Sequence, residues 1–404
     1  MTYFSFLRRH AGFLFFGFSM MGLSNFGQTF FISLHSAEIK ASFGLSNTSF
    51  GALYSSVTLL SGLALLYSGR LIDHWSLPRF TTLTLVGFAA GCLLMGLAEN
   101  VIALAIALFL LRHFGQGLSS HTGMTAISRA FTAQRGRAVA FIQLGYATTE
   151  GVFPLLLIGV LMWVGWQQSW LLAGGFLLFI ALPVQAYFSR FAPAAQADEA
   201  DTGHGAIVAG RREVLRDIRF YMLLPLYTAS PFLLTGMFFH QVQLAQAYQW
   251  SLTALASAFA FYAVTKIITS LIFGALVDRY TSLRLFPFAF VPLALGFAVL
   301  LFPTFIPAAI APFAYLIFMG VNLGMAAPLS GALWPELFGT KNLGAIRSMT
   351  TAIVIFSTAA APVLFSALLD MGVGFGAISS ACIGYLILCG GLAFLASRIT
   401  LAGR

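Results

Sequence analysis

Long apolar runs separated by short polar turns make up nearly the whole chain. They fall at about 10–34, 48–68, 79–98, 101–127, 137–163, 168–189, 219–244, 251–274, 284–303, 306–333, 345–369 and 374–397. Each is ~20 residues or longer, the length an α-helix needs to cross a hydrocarbon core of about 30 Å. Gly and Pro recur within the runs, and membrane helices tolerate both better than soluble helices do. The pattern predicts an all-α membrane protein with twelve transmembrane helices. Between the ninth and tenth, Pro303 and Pro307 are the only turn signals.

The pattern also repeats. Gly69-Arg70-Leu71-Ile72-Asp73 closes the second run and Gly274-Ala275-Leu276-Val277-Asp278 closes the eighth, with Arg79 and Arg284 following at equal distance. The register of about 205 residues also pairs Gly115 with Gly320, and slips slightly to set Pro154 opposite Pro362. Internal duplication of this kind is how many secondary transporters are built. It predicts an N-terminal six-helix half over 1–190, a linker over 191–218 and a C-terminal half over 219–404, related by a two-fold axis normal to the membrane. The linker is polar, with Asp198, Glu199 and Asp201 followed by Gly203, Gly205, Arg211, Arg212 and Arg216. Its part from Arg212 to Arg219 is expected as a short surface helix.

Composition reaches the membrane reading independently. The chain is 59% hydrophobic and 8% charged, whereas a soluble protein carries roughly a quarter charged residues. Cys92, Cys382 and Cys389 all lie in apolar runs without metal-ligand or CxxC spacing, so neither a disulfide framework nor a zinc site is expected. Arg8 and Arg9 precede an apolar run that continues past Phe31 without a small-residue cleavage site. That start reads as a retained first helix rather than a signal peptide.

The net charge of +9 would suit a polyanion partner if the bases clustered on a soluble face. Placing the two Asp turns on one side of the membrane instead gathers nearly all of the 21 Lys and Arg there. The opposite side keeps only Lys40. This is the positive-inside asymmetry, and it puts both termini in the cytoplasm. The basic balance reports topology, and no nucleic-acid partner is expected.

Twelve spans, a long middle loop and the Gly-x-Leu-x-Asp turn after spans 2 and 8 resemble the major facilitator superfamily over essentially the whole chain. That family's loop pattern orders Gly, Asp, a base and a second Gly. Asp73 and Asp278 match, and Arg279 supplies the base in the second copy. His74 replaces it in the first, and Ser76 and Thr281 replace the second Gly. Arg112-x-x-Gly115-x-Gly117 resembles the family's fourth-helix pattern. The Gly-Pro core of the fifth helix of its drug antiporters is missing, and span 5 reads Gly151-Val152-Phe153-Pro154 instead. Gly27-Gln28-Thr29-Phe30-Phe31 and Phe238-Phe239-His240-Gln241 are similar to the monocarboxylate-transporter-like branch. The resemblance implies a conformational latch at Gly69, Asp73, Arg79, Gly274, Asp278, Arg279 and Arg284. An Asp facing a neighbouring helix N-terminus gains about 0.3–1 kcal/mol there. The plainer reading makes Asp73 and Asp278 topogenic surface charges only.

Three fully ionisable residues fall within the spans: Arg112, Glu150 and Lys266. Each costs several kcal/mol against lipid, so each should face the bundle interior beside a partner. Their helical neighbours are polar: Gln116 and Ser119 with Arg112, Gln143 and Tyr146 with Glu150, Tyr262 and Thr269 with Lys266. At 1.5 Å per residue, Arg112 lies roughly 25 Å, Glu150 roughly 20 Å and Lys266 roughly 12 Å from the loops on the basic side. In the family arrangement spans 5 and 8 meet, which implies a Glu150–Lys266 pair. A purely structural ion pair is the alternative. Arg112 either touches substrate or organises its half.

His240 follows an aromatic pair and suits a substrate donor or proton relay. His113 and His121 share a face of span 4 but have no third ligand, so satisfied interior histidines are expected rather than a metal site. Gln28 with Asn25 and Thr29, and Asn322 with Tyr315, form polar faces that line a cavity or bridge helices.

No nucleophile–base pair, phosphate loop or ATPase motif appears, so an enzyme is not expected and no cofactor is implied. The leading reading is a secondary transporter in a bacterial inner membrane that moves a small organic anion with protons as a monomer. In it Lys266, Arg112, His240, Gln28, Tyr262 and Asn322 bind substrate and Glu150 couples the proton. An efflux antiporter for amphipathic compounds and a non-transporting receptor remain as alternatives.

Overall fold

The computed structural model describes residues 3–131, 134–193, 214–338 and 343–402. The expected linker from Asp198 to Arg212, and Lys341 among the counted bases, lie outside the described residues. The described residues are overwhelmingly helical, with no strand among them. The long helices are α1 (Ala11–Leu23), α2 (Asn47–His74), α3 (Leu77–Leu97), α4 (Val101–Ala130), α5 (Arg135–Val164) and α6 (Trp166–Phe191), then α7 (Ile218–Phe239), α8 (Leu252–Tyr280), α9 (Ser282–Leu301), α10 (Ala311–Phe338), α11 (Leu343–Asp370) and α12 (Phe375–Ala402). Among the described residues, eleven helices are long and apolar enough to cross a membrane, and Ala11–Gly27 is a shorter apolar helix.

Polar residues at the turns start these helices. The side chains of Ser46, Asn100 and Ser251 accept hydrogen bonds from the Ser49, Ala103 and Ala254 amides at 2.9–3.1 Å, capping α2, α4 and α8. Asp217 caps α7 by accepting from the Arg219 amide at 2.8 Å. The Arg219 guanidinium folds back onto the same carboxylate, which holds the Asp217 carboxyl below its usual range.

The first span departs from the expected continuous helix over about 10–34. After α1, a tight turn over Ser24–Gly27 ends at Gln28, whose backbone is extended (φ −79°, ψ 153°). The chain resumes as short helical pieces, Thr29–Ile32, Ser33–His35 and Ser36–Phe43. A second irregularity faces this break, for α4 widens into a nine-residue π-helix over Leu111–Ser119. Wide π turns inside membrane helices often mark functional positions. Gly27 fits against the wide turn because it has no Cβ. Any Cβ there would run into the Leu111 carbonyl and come within 2.5 Å of the Gln116 nitrogen.

The chain divides into two compact units, 1–198 and 199–404. Within the first, α1 packs on α5, α3 on α6 and α4, and α4 on α2. Within the second, α7 packs on α11, α9 on α12 and α10, and α10 on α8. The same helix pairings therefore occur twice. The α8–α10 contact is extensive because glycines let the backbones meet. A Cβ at Gly320 would lie 2.6 Å from the Tyr262 carbonyl, and one at Gly324 would lie 2.8 Å from Thr269 Cβ. Small residues at such crossings are the common route to tight packing in lipid.

Candidate functional site

The first unit gathers its polar interior around the α1 break. Arg112 on the π turn is 5% exposed. Its Nη1 donates to the Gly27 carbonyl at 3.0 Å and to Thr29 Oγ1 at 3.4 Å, and its guanidinium carbon lies 5.2 Å from the centre of the Tyr54 ring. Tyr54 in turn donates to Thr29 Oγ1 at 3.0 Å. A buried guanidinium needs such acceptors, since desolvating it unpaired is costly. Arg112 thus staples α4 and α2 to the break.

Glu150 lies on the other wall, 2% exposed. Tyr146, one turn before it on α5, is within electrostatic reach of both Glu150 and Arg112. Asn25 ties this turn of α5 to α1. Its Nδ2 donates to the Tyr146 carbonyl at 2.8 Å and to Thr149 Oγ1 at 2.5 Å, and Thr149 donates to the Gly22 carbonyl at 3.2 Å. Gln28, half-buried, is the residue whose extended backbone breaks α1.

In the second unit Lys266 is half-buried, with Nζ 5.6 Å from the centre of the Tyr262 ring. Tyr262 is fully buried and meets Phe238 and Phe259 with ring centres 5.7 Å apart in each case. A lysine over an aromatic face gains roughly 0.5–2 kcal/mol while remaining charged. His240 is buried where α7 ends. Its Nδ1 is 2.5 Å from Gln243 Oε1, and its Nε2 is 3.2 Å from Ser366 Oγ on α11. Asn322 is buried and donates to the Ala289 carbonyl at 2.9 Å, which bridges α10 to the start of α9.

The histidines of α4 each meet a carbonyl of α2. His113 Nδ1 is 3.4 Å from the Ser61 oxygen, and His121 Nε2 is 3.0 Å from the Gly69 oxygen. No group of three or more metal-ligating side chains occurs among the described residues.

The two Asp turns are built differently. Asp73 forms an ion pair with Arg129 at the end of α4, and Arg129 also donates to the Ile72 carbonyl at 3.4 Å. Arg79 is exposed at the start of α3. Asp278 and Arg284 are exposed, and Asp278 has no ion-pair partner among the described residues. Arg279 lies over the Tyr280 ring at 5.1 Å. Here Glu336 of α10 closes the turn, accepting the Ser282 amide at 2.7 Å and the Leu283 amide at 2.9 Å. A Cβ at Gly274 would meet no atom within 4 Å, whereas one at Gly69 would lie 3.5 Å from His121 Nε2.

Sequence reasoning missed Arg129 and Glu336 as partners of the turns, because each is remote in sequence from what it binds. One signal was present for Glu336: a carboxylate at the end of a span on the base-rich side, where most charges are positive.

Paired helix packings in two units, with ionisable side chains buried in the spans, are those of a polytopic membrane protein. A family model of the Major Facilitator Superfamily matches residues 13–348. The chain belongs to that superfamily. Among solved structures, it is similar to a bacterial homolog of the human lysosomal transporter Spinster in an inward-facing, unoccupied conformation, with a TM-score of 0.69 at 13% identity and 98% of each chain covered. The nucleoside transporter NupG aligns with a TM-score of 0.70 at 10% identity, covering 97% of this chain and 98% of its own. A point mutant of the peptide transporter POT gives 0.65 at 17% identity, covering 96% of this chain and 93% of its own. No curated protein sequence matches the chain. These likenesses carry the fold; the protein is a multi-pass membrane transporter acting on small molecules.

Proposed function

We propose that the protein is a secondary active transporter that moves a small, monocarboxylate-like organic anion together with protons by alternating access. It works as a monomer in a bacterial inner membrane, with both termini in the cytoplasm. Lys266 takes the anionic group beside Tyr262, and Glu150 carries the coupled proton. The observation that carries the reading is the burial of Glu150 and Arg112 inside the first unit, at 2% and 5% exposure, rather than on its lipid-facing surface. Ionisable groups kept in that position are expensive and usually mark a transport pathway. Two cations and one carboxylate within the spans leave a net positive interior, which suits an anion.

The cycle follows from charge balance. An incoming anion binds at Lys266, a proton joins Glu150, and the loaded form moves without an uncompensated charge. Arg112 holds the α1 break, His240 fastens α7 to α11 and is the next proton candidate, and Gln28 and Asn322 shape the walls. The Asp73 and Asp278 turns act as conformational latches, so Asp73→Asn and Asp278→Asn slow turnover more than they weaken substrate binding.

Proteoliposome uptake of a carboxylate panel under an imposed pH gradient tests the reading. Glu150→Gln should retain exchange and lose accumulation. Lys266→Ala should lose affinity by about 2–5 kcal/mol, typical for breaking a buried charge contact. Normal accumulation by Glu150→Gln removes the coupling assignment. Normal transport by Lys266→Ala, or a cationic substrate, rejects the anion reading in favour of efflux of amphipathic compounds.

A further inference from the structure

At the α1 break two buried polar atoms have no hydrogen-bond partner among the described residues, Asn25 Oδ1 and the donor Arg112 Nε. Asn25 is fully buried, and its Oδ1 has no hydrogen-bond partner. The orientation of its amide is fixed by chemistry. The Tyr146 carbonyl can only accept, so the nitrogen of Asn25 must be the atom 2.8 Å from it. The second proton of that nitrogen goes to Thr149 Oγ1, which spends both donors. The oxygen is left as a buried acceptor awaiting a donor, an arrangement that native interiors rarely keep without a reason.

The turn to which Asn25 is tied is the one that carries Glu150. Helix α5 is unbroken from Arg135 to Val164, and in an α-helix the Tyr146 carbonyl is the one toward which the Glu150 amide points. A protonated carboxyl has an O–H to donate, and an ionised one has none. We propose that Asn25 Oδ1 is the acceptor for the protonated form of Glu150, so that the break in α1 reads the protonation state of α5. This rests on the proposed role of Glu150 as the proton carrier.

The surroundings make the pair a two-way device. In this unit α5 packs against α1, α4 and α6. Helix α1 through Gly27 has no ionisable side chain, and α6 has none before Tyr187. Helix α4 supplies Arg112, while its His113 and His121 are turned to α2 carbonyls and its Arg129 to Asp73. Tyr146 is the remaining titratable neighbour, on α5 itself. A guanidinium can only donate, so Arg112 offers the O–H of the acid no acceptor, whereas Asn25 Oδ1 can accept from the protonated form alone. Protonation therefore gives Glu150 a bond to Asn25 that the ionised form cannot make.

The test needs no substrate. Infrared titration of the purified full chain in detergent follows the C=O stretch of a buried carboxylic acid, assigned to Glu150 by its loss in Glu150→Gln. Asn25→Leu should lower the pH midpoint of that band by about half to one unit, the effect of one hydrogen bond on one protonation state, and should move the band itself. Asn25→Asp should raise the midpoint, because a second carboxyl shares the proton, and it carries the test if the leucine variant fails to fold. Thr149→Val loosens Asn25 without touching Oδ1 and should leave the midpoint in place. If both Asn25 variants titrate like wild type while Glu150→Gln removes the band, the inference is overturned and the proton-carrier assignment stands. A Thr149→Val shift equal to that of Asn25→Leu also overturns it, since helix displacement then explains both. If Glu150→Gln removes no band at any pH, the assignment of Glu150 fails and the inference falls with it.

Discussion

The turn after α2 and the turn after α8 descend from one repeat, yet they are closed by opposite chemistry. In the first, acceptors are exposed and donors come to meet them: Arg129 binds the Asp73 carboxylate and the Ile72 carbonyl, and His121 meets the Gly69 carbonyl. In the second, the Asp side chain stays exposed and the backbone amides of Ser282 and Leu283 take the carboxylate of Glu336. Both partners come from the end of the helix paired with the turn, α4 in one unit and α10 in the other. What the duplication preserved is the position of the turn and the helix that seals it. The sign of the sealing charge was free to change.

The largest effect expected from this contrast is at Glu336. It is half-buried and bidentate on two amides, and charge-assisted bonds of this kind are roughly twice as strong as neutral ones. Glu336→Ala should cost about 2 kcal/mol, since two backbone donors lose their acceptor, and should lower the apparent melting temperature in detergent. Glu336→Gln, which keeps one acceptor, should fall between. Asp278→Asn should leave the melt unchanged. A melt of Glu336→Ala equal to wild type would mean that the second turn is not sealed through α10.

The next effect separates Ser76 from Thr281, which share one repeat position. Ser76 has ordinary backbone angles (φ −63°, ψ 142°). Thr281 has φ 69° and ψ 151°, a region that suits glycine and strains a β-branched residue. Thr281→Gly should stabilise by about 1 kcal/mol through release of that strain. Ser76→Gly should destabilise by roughly 0.4–1 kcal/mol through greater freedom of the unfolded chain. Effects of the same sign in the two melts would refute the contrast.

Much of this architecture was legible in the chain. Twelve apolar runs gave the helices because length and hydrophobicity suffice to define a span. The doubled Asp motif located both turns. The break at Gln28 was not legible: no proline announces it, and its cause is long-range, Arg112 reaching the Gly27 carbonyl across 85 positions. The partner of Asp73 was hidden likewise, 56 positions away and counted only as a topogenic base. Local pattern reports helices well, and side-chain partners between helices poorly, because polar contacts in a membrane interior are set by packing rather than by period. The buried polar residues were legible as a set. Asn25, Thr29 and Asn322 prove to join helices, and that role looks the same in sequence as cavity lining.

A third measurement sharpens the first turn alone. Both members of the Asp73–Arg129 pair are about half exposed, with side-chain accessibilities of 46% and 52%. An exposed pair contributes about 0.2–1 kcal/mol. Asp73→Asn and Arg129→Gln should each lower stability slightly, and the double variant should be no worse than Arg129→Gln alone, because once Arg129 is gone the Asp73 substitution removes nothing further. Turnover should follow the same non-additive pattern if the pair is a latch. Additive losses would indicate that Asp73 and Arg129 act through separate contacts.

The smallest effect concerns the glycine that opens each motif. In the first turn, a Cβ on Gly69 would lie 2.8 Å from the Leu65 carbonyl and press toward His121, the side chain that meets the Gly69 carbonyl. In the second, a Cβ on Gly274 would enter open space within an unbroken stretch of α8. Gly274→Ala should therefore be neutral or stabilising by about 0.5 kcal/mol, because alanine loses less backbone freedom in a helix. Gly69→Ala should be destabilising, since either Leu65 or His121 has to move. The transport assay adds a second reading of the same pair. If Gly274 matters only where α8 moves against another surface during the cycle, Gly274→Ala will keep its melting temperature and lose turnover. That outcome would make the second glycine a residue of the conformational change. Wild-type turnover together with an unchanged melt would make it a relic of the duplication.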